Sequence, residues 1–410
     1  MVRAKTRSVF RQIHLYVGLC FGGVFMLLGL TGSAIAWLHE IDSMLNPDLF
    51  HVAPASGVIA DGPASITPAK VQEMFERLAA DPHYGRPTQI TLPEHANETL
   101  IAWYRREPSN KASLLALETS RQVMVNPYTL QIAGERNWGE IGASRRLLMP
   151  TLFHLHRYLV AGELGKTVIG ISGLVLLITS ITGFVLWWPK RNRKALRQAF
   201  TISHQGSWQR FNYSFHRTAG FFVASVLIVL GFSGWYFNMP KWVTPIVSSV
   251  ATVSASDKLT NQAPIRGTPI SPGQALEAAQ ALYPNARVSR IALPAKPSMP
   301  YEIRVRQPGE IRQGDGATRI TIDSYSGKML RARDPLRAPG GDRFLNWLFP
   351  LHSGEAFGIA GRIFISCFGA VPLLFLVTGL GIWLKRKKKH RHGDIVKSPR
   401  KNIPTKPRLP

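Results

Sequence analysis

The chain has 410 residues, with 50 Lys and Arg against 24 Asp and Glu, a formal charge of +26. So basic a soluble protein would suggest nucleic acid, but 45% of residues are hydrophobic and only 18% charged, so the position of the charge decides its meaning. Two cysteines exclude a disulfide framework and a cysteine-held iron–sulfur or zinc site, and the apolar content excludes a largely disordered chain.

A basic start, residues 1–13, carries Arg3, Lys5, Arg7 and Arg11. Four stretches then contain no Asp, Glu, Lys or Arg: residues 15–38, 167–188, 218–239 and 363–384. At 1.5 Å per residue each spans about 33–36 Å, enough for a hydrocarbon core of roughly 30 Å. The expected order is a cytoplasmic N-terminus 1–13, a first transmembrane helix 14–38 and an outer α+β domain 39–153. A lead-in with the second helix, 154–188, and a basic cytoplasmic loop 189–215 follow. The second half has a third helix 216–239, a second outer domain 240–350, a lead-in with the fourth helix 351–384, and a basic tail 385–410. The first span has the basic start and the Ala34-Ile35-Ala36 site of a signal peptide. Its length and its recurrence in the third span favour a retained helix.

Segments 1–13, 189–217 and 385–410 hold 22 basic residues against one acid, Asp394. The positive-inside rule assigns all three to the cytoplasm, with both termini inside and two segments outside. The charge is therefore an orientation signal with affinity for anionic membrane lipid. A nucleic-acid partner is not expected.

The halves resemble each other. With an offset of 202, His14, Gly18, Val24, Leu28, Gly29 and Gly32 meet His216, Gly220, Val226, Leu230, Gly231 and Gly234. With an offset of 196, Leu155, His156, Thr182, Gly183 and Trp187 meet Leu351, His352, Thr378, Gly379 and Trp383. In the outer segments, "ITPAKVQEMFERL" from Ile66 parallels "ISPGQALEAAQAL" from Ile270, each with a Thr-Pro or Ser-Pro helix start. "ITLP" from Ile90 parallels "IALP" from Ile291, and "VNPYTLQI" from Val125 parallels "IDSYSGKM" from Ile322. Residues 99–104, 114–117, 301–305 and 319–322 read as strands. The fold class is thus an α-helical integral membrane protein with four transmembrane helices in two tandem repeats, each carrying a small α+β outer domain.

A helix-plus-strands domain with such a turn, between helices bearing paired histidines, resembles the PepSY-associated transmembrane family over roughly residues 8–390. Members are similar to iron-regulated inner-membrane proteins, including haem-containing ferric-siderophore reductases. The resemblance implies a bacterial inner membrane and PepSY-like periplasmic outer domains, but it does not fix the substrate.

Of twelve histidines, only two pairs recur at matching positions: His14 with His216 on the cytoplasmic side, and His156 with His352 on the outer side. Two facing neutral imidazoles are the axial ligands of a bis-histidine haem b, so two haems are expected. On a helical wheel Gly18, Gly29 and Gly32 lie about 40°, 60° and 0° from His14, room for a flat macrocycle. Gly220, Gly231 and Gly234 do the same beside His216. The bland alternative is close helix packing at these glycines. On one continuous helix from 156 to 188, Gly162, Gly165, Gly173 and Gly183 would face away from His156. Either the helix breaks near 162–165 or that face packs on another span. His39 and His154 lack repeat partners and are reserve ligands for the outer haem.

No carboxylate lies within a span, which disfavours a proton-coupled transporter. No nicotinamide or flavin motif is seen, so electrons must come from a quinol or a cytoplasmic reductase. The leading expectation is a haem-dependent oxidoreductase that reduces a periplasmic ferric siderophore or other iron chelate and releases Fe(II) from its hard oxygen ligands. Trp103, Tyr104, Arg105 and Arg106 combine aromatic and cationic surface where such a chelate could dock. The alternatives are a permease for an iron chelate and a non-enzymatic regulator that binds through its outer domains.

Overall fold

The computed structural model describes residues 4–55, 57, 59–105, 113–255, 257–262 and 267–396. The chain begins with the long helix α1 (Ala4–Ile35) and the short α2 (Leu38–Leu45) and α3 (Pro47–Phe50). Next come α4 (Pro68–Ala80), β1 (Gln89–Thr91), β2 (Leu100–Arg105), β3 (Ser120–Val125) and β4 (Ile132–Trp138). Helix α5 (Arg145–Tyr158) leads to the long α6 (Gly162–Trp187). After α7 (Arg193–Ala199) the second half follows the same order: α8 (Trp208–Asn238), α9 (Pro240–Ser248), α10 (Pro272–Leu282), β5 (Arg287–Ala292), β6 (Tyr301–Arg306), β7 (Thr318–Ile322), β8 (Met329–Arg333) and α11 (Gly340–Ser353). A 3-10 turn then enters α12 (Gly358–Phe368) and α13 (Val371–Val396).

Among the described residues four helical stretches are long and apolar enough to cross a membrane: Lys5–Ile35, Gly162–Trp187, Trp208–Asn238 and Glu355–Lys385. The last is interrupted after Phe368. Pro372 has no N–H to return to the Phe368 carbonyl, so the ladder opens there. The second span also starts afresh. Leu159, Val160 and Gly162 have φ of 47°, 55° and 52°, which ends α5 and separates His156 from α6. Of the two expected solutions, both are found: the helix breaks, and Gly173 packs on the third span. Gly162 is held there by close approach: a Cβ on it would lie 2.4 Å from the Ala116 carbonyl. This also corrects the strand expected at residues 114–117. Leu114 instead gives its carbonyl to the Leu164 N–H at the start of α6, and the strand begins at Ser120.

The segments 39–153 and 240–350 share one eight-stranded antiparallel sheet, ordered β4-β3-β2-β1-β5-β6-β7-β8. Separate domains were expected. Left apart, β1 and β5 would each be an unpaired edge, and pairing them removes both. The join places Ile90 opposite Ile291, the residues that match in the sequence repeat. Both are fully buried.

One face of the sheet is covered by α4 and α10. Thr67 caps α4 by accepting from the Lys70 N–H, and Ser271 with Gln274 forms a capping box on α10. Val71, Met74, Leu78, Ala275, Leu276 and Ala279 pack against Ile90, Val123, Ile291, Ile303 and Ile320. Each Val, Leu, Ile or Met among them contributes about 1.5–3 kcal/mol on burial. On the other face, under β3 and β4, Arg136 forms a two-pronged ion pair with Asp42 of α2 at 2.9 and 2.7 Å. Both side chains are only 3% exposed.

The chain divides into two compact units. One contains the described residues of Met1–Met26, Val175–Ile228 and Val371–Pro410. The other contains those of Leu27–Leu174 and Val229–Ala370, including the sheet.

Candidate paired-imidazole sites

Each unit holds one histidine pair, joined within a single chain. In the first unit the rings of His14 (α1) and His216 (α8) have centroids 6.3 Å apart and planes at 89°. In the sheet-bearing unit His156 (α5) and His352 (α11) are 6.4 Å apart with planes at 72°.

The four rings are held in one way. His14 Nδ1 lies 3.1 Å from the Thr179 carbonyl, with the Thr182 hydroxyl at 3.4 Å. His156 Nδ1 lies 3.1 Å from the Leu28 carbonyl and 3.2 Å from the Thr31 hydroxyl. A carbonyl only accepts, so Nδ1 of both rings must carry the proton. His216 Nδ1 lies 2.8 Å from the Thr378 hydroxyl, which donates its own proton to the Leu374 carbonyl. His352 Nδ1 lies 2.7 Å from the Ser233 hydroxyl, which donates to the Val229 carbonyl. Those hydroxyls are left as acceptors, so Nδ1–H donates here too. All four imidazoles are thereby fixed as the tautomer with its lone pair on Nε2, the form that binds a metal.

A haem between the two rings of a pair fits these features. Two metal–nitrogen bonds of about 2.0 Å, plus about 1.1 Å from each nitrogen to its ring centre, place the centroids about 6.2 Å apart. No cluster of three or more His, Cys, Asp or Glu that could hold a metal ion gathers among the described residues, so each pair would supply two imidazole ligands to such a group. In the first unit a cavity of about 630 Å³ opens beside the pair, lined by His14, Gly18, Gly22, His216, Gly220 and Gly379 among others. That volume lies within the range of about 300–1,000 Å³ common to cofactor sites. A Cβ on Gly18 would meet nothing within 4 Å, so this glycine borders open space. Arg7, Arg11 and Arg217 line the same cavity and supply cationic partners for acidic substituents.

The other glycines divide their work. A Cβ on Gly183 would come 3.1 Å from His14 Cε1, and one on Gly32 would come 3.1 Å from His156 Cε1. Gly32 therefore makes room at the His156–His352 pair, although the helical wheel aligned it with His14. A Cβ on Gly369 would lie 2.4 Å from the Gly29 carbonyl, and one on Gly173 would lie 2.8 Å from the Gly231 carbonyl. These are close helix contacts. The retaining hydroxyls of Thr31, Thr182, Ser233 and Thr378 were not singled out in the sequence as site residues. Their signal is there nonetheless: Thr31 and Ser233 are 202 apart and Thr182 and Thr378 are 196 apart, the offsets of the histidines.

The reserve ligands lie elsewhere. His39 Nε2 meets Glu98 Oε1 at 3.0 Å. That hydrogen bond, against the effect of burial and helped by the charges of Glu98, Glu40 and Glu94, raises the His39 pKa above its ordinary value. Burial alone would raise Glu98, but the His39 hydrogen bond and charge bring it down to about 2. His154 gives Nδ1–H to the Pro150 carbonyl at 2.8 Å and stacks on Tyr158. Neither ring faces a second imidazole among the described residues.

The proposed docking residues are split by the strand. Trp103 and Arg105 share one face of β2, with Arg105 5.8 Å over the indole. Tyr104 faces the α4 side and donates to the Gly85 carbonyl at 3.4 Å. Arg106 lies outside the described residues.

Four apolar spans, an antiparallel sheet and two facing imidazole pairs define a multi-pass membrane protein. The family model of the PepSY-associated TM region matches residues 11–386. The chain belongs to that family. A search of the curated proteins found no match.

Proposed function

We propose that this protein is a b-haem electron carrier of the bacterial inner membrane that reduces a periplasmic ferric chelate and releases Fe(II). The observation that carries the reading is the arrangement of four imidazoles in two facing pairs. In each, Nδ1–H is committed to a fixed acceptor and Nε2 is left for a metal. His14 with His216 would hold one haem and His156 with His352 the other. When bound, the haem supplies one-electron chemistry. The protein's residues fix the ligand tautomer, border the macrocycle with glycine and keep the site apolar. A quinol that releases two electrons and two protons would reduce two ferric ions to Fe(II), and a cytoplasmic reductase is the other donor class. Hard oxygen ligands hold Fe(II) less tightly than Fe(III), which drives release.

The asymmetry of basic residues supports an orientation with both termini in the cytoplasm and the sheet in the periplasm. The two halves of the chain then form tandem repeats, with matched histidines and one shared sheet.

Purified full-length protein should show a reducible b-type absorption band and two haems per chain. His14→Ala and His156→Ala should each leave one haem, and the double variant none. A chain without haem, or a double variant that keeps the band, would end this reading.

A further inference from the structure

The second half of the sheet carries a row of four arginines directly opposite one another. Arg290 of β5 pairs in register with Arg304 of β6. Arg304 pairs with Arg319 of β7, and Arg319 with Arg333 of β8. Register partners project from the same face, at inter-strand spacings of about 4.8 Å. Like charges so placed repel and weaken a sheet.

The local carboxylates do not balance them. Asp315 bridges Arg290 and Arg304, and Glu302 lies 3.8 Å from Arg319. Arg333 donates to the Ala255 carbonyl, with Asp342 and Glu302 as its acidic neighbours. Arg290 Nε is buried and has no hydrogen-bond partner. Arg312 adds a fifth guanidinium nearby, held 4.1 Å over the Phe349 ring, with Glu355 and Asp315 as its acidic neighbours. Burial, together with the charges of Arg319, Arg290 and Arg312, brings Arg304 down to about 10. The row is reachable: the Arg319 side chain is 45% exposed and that of Arg304 is 16% exposed.

The fold does not require this row. The first half has the corresponding row Gln89, Trp103, Gln122 and Arg136, again in register across four strands. Its one arginine is neutralised by Asp42. The join between β1 and β5 brings the row next to the aromatic end of β2. Arg290 is the register partner of Thr91, and Thr91 accepts from the Trp103 indole N–H at 3.1 Å. Arg105 is close enough for its charge to act on Arg290.

We propose that Arg290, Arg304 and Arg319, flanked by Trp103 and Arg105, form an anion site that takes a multiply charged, oxygen-rich chelate. The site selects anionic ferric chelates over neutral ones. Guanidinium forks match planar carboxylate and catecholate oxygens bidentately, and a polyanion relieves the repulsion along the row. This deepens the reductase reading and rests on it for the identity of the cargo.

The probe is chromium(III) tris-oxalate, a redox-inert trianion with an octahedral oxygen shell. Its neutral control is chromium(III) tris-acetylacetonate. Full-length protein in nanodiscs of pure phosphatidylcholine is dialysed against each, and bound chromium is measured. The trianion should bind, weaken with salt, and weaken on the order of tenfold per guanidinium removed in Arg304→Gln/Arg319→Gln. The neutral control should not bind. The double variant should melt no lower than the parent, because repulsion has been removed. Should it fail to fold, the exposed single change Arg319→Gln should show a smaller loss in the same direction. Equal binding of both probes, or unchanged binding in the variants, overturns the proposal. So does anionic lipid as the true occupant, seen as loss of chromium binding in discs containing phosphatidylglycerol. Chromium binding needs no haem or electron transfer. Its failure in a haem-loaded protein overturns this site alone, and absence of haem with chromium still bound overturns the reductase reading alone.

Discussion

The retention of the four imidazoles makes a graded prediction. Among the described residues, His216 and His352 each have one Nδ1 acceptor, the hydroxyls of Thr378 at 2.8 Å and Ser233 at 2.7 Å. His14 and His156 each have a backbone carbonyl, at 3.1 Å in both cases, and a hydroxyl as well. Thr378→Val or Ser233→Ala therefore leaves a buried N–H with no partner, at a cost of about 1–3 kcal/mol. Loss of a ligand's outer partner typically lowers metal-site affinity about 10–100-fold, which agrees with that cost. Thr182→Val or Thr31→Val leaves the carbonyl in place and should cost less than about 1 kcal/mol. The assay is titration of haem-depleted protein with haemin, followed by absorbance. Each variant is made in a His14→Ala or His156→Ala background so that one site is read at a time. Thr378→Ser should restore near-parental affinity. Equal losses from all four hydroxyl deletions, or no loss from Thr378→Val and Ser233→Ala, would refute the tautomer argument.

Other outcomes follow from the same structure. Gly18→Leu fills the space beside His14 and should reduce haem from two per chain to one, by pyridine haemochrome count, while the outer pair stays loaded. Asp42→Ala leaves Arg136 buried and unpaired, so the sheet should lose about 3–5 kcal/mol, measured by urea unfolding followed by circular dichroism. The His39–Glu98 pair should stabilise most between pH 4.5 and 6.5. Its Glu98 share is present above the ordinary value of 4.5 and is lost as pH falls toward about 2. Its His39 share is present below 6.5 and is lost as pH rises through the raised value. The melting difference between parent and Glu98→Gln should peak in that window. A difference that is flat with pH would show that the pair contributes nothing through titration.

Much of the site is legible without coordinates because the repeat filters it. Twelve histidines reduce to four, and the structure brings those four together in the expected pairs. The spans are legible because a membrane tolerates so few charges that their absence is itself the signal. The strands are harder to read. β1 has three residues, too few to show a period of two. β4 contains Gly134, whose missing side chain makes room for Leu49. β5 has a bulge between Val288 and Arg290, which breaks the alternation a strand is recognised by. The single sheet was hidden for a different reason: no local pattern states which edge of a domain meets which edge of another. The matched Ile90 and Ile291 were visible as a repeat, but only the fold shows them paired across its centre.

The repeat also argues for a division of labour. Around the histidines the halves agree: Thr31 with Ser233 and Thr182 with Thr378 retain an imidazole, and Gly183 with Gly379 lies beside one. Where they differ most sharply, on the sheet face opposite α4 and α10, one half buries a neutralised Arg136 and the other lines up four arginines that its carboxylates compensate only in part. A duplicated chain keeps symmetry where both halves meet the same chemical demand. It loses symmetry where one ligand must be met once. On the proposed reading the cofactor imposes the first condition and a single anionic chelate the second. The outer sheet is then an asymmetric reader built on a symmetric scaffold. Substituting glutamine at Arg304 and Arg319 should change which chelates are accepted and leave haem content and reduction potential as they were.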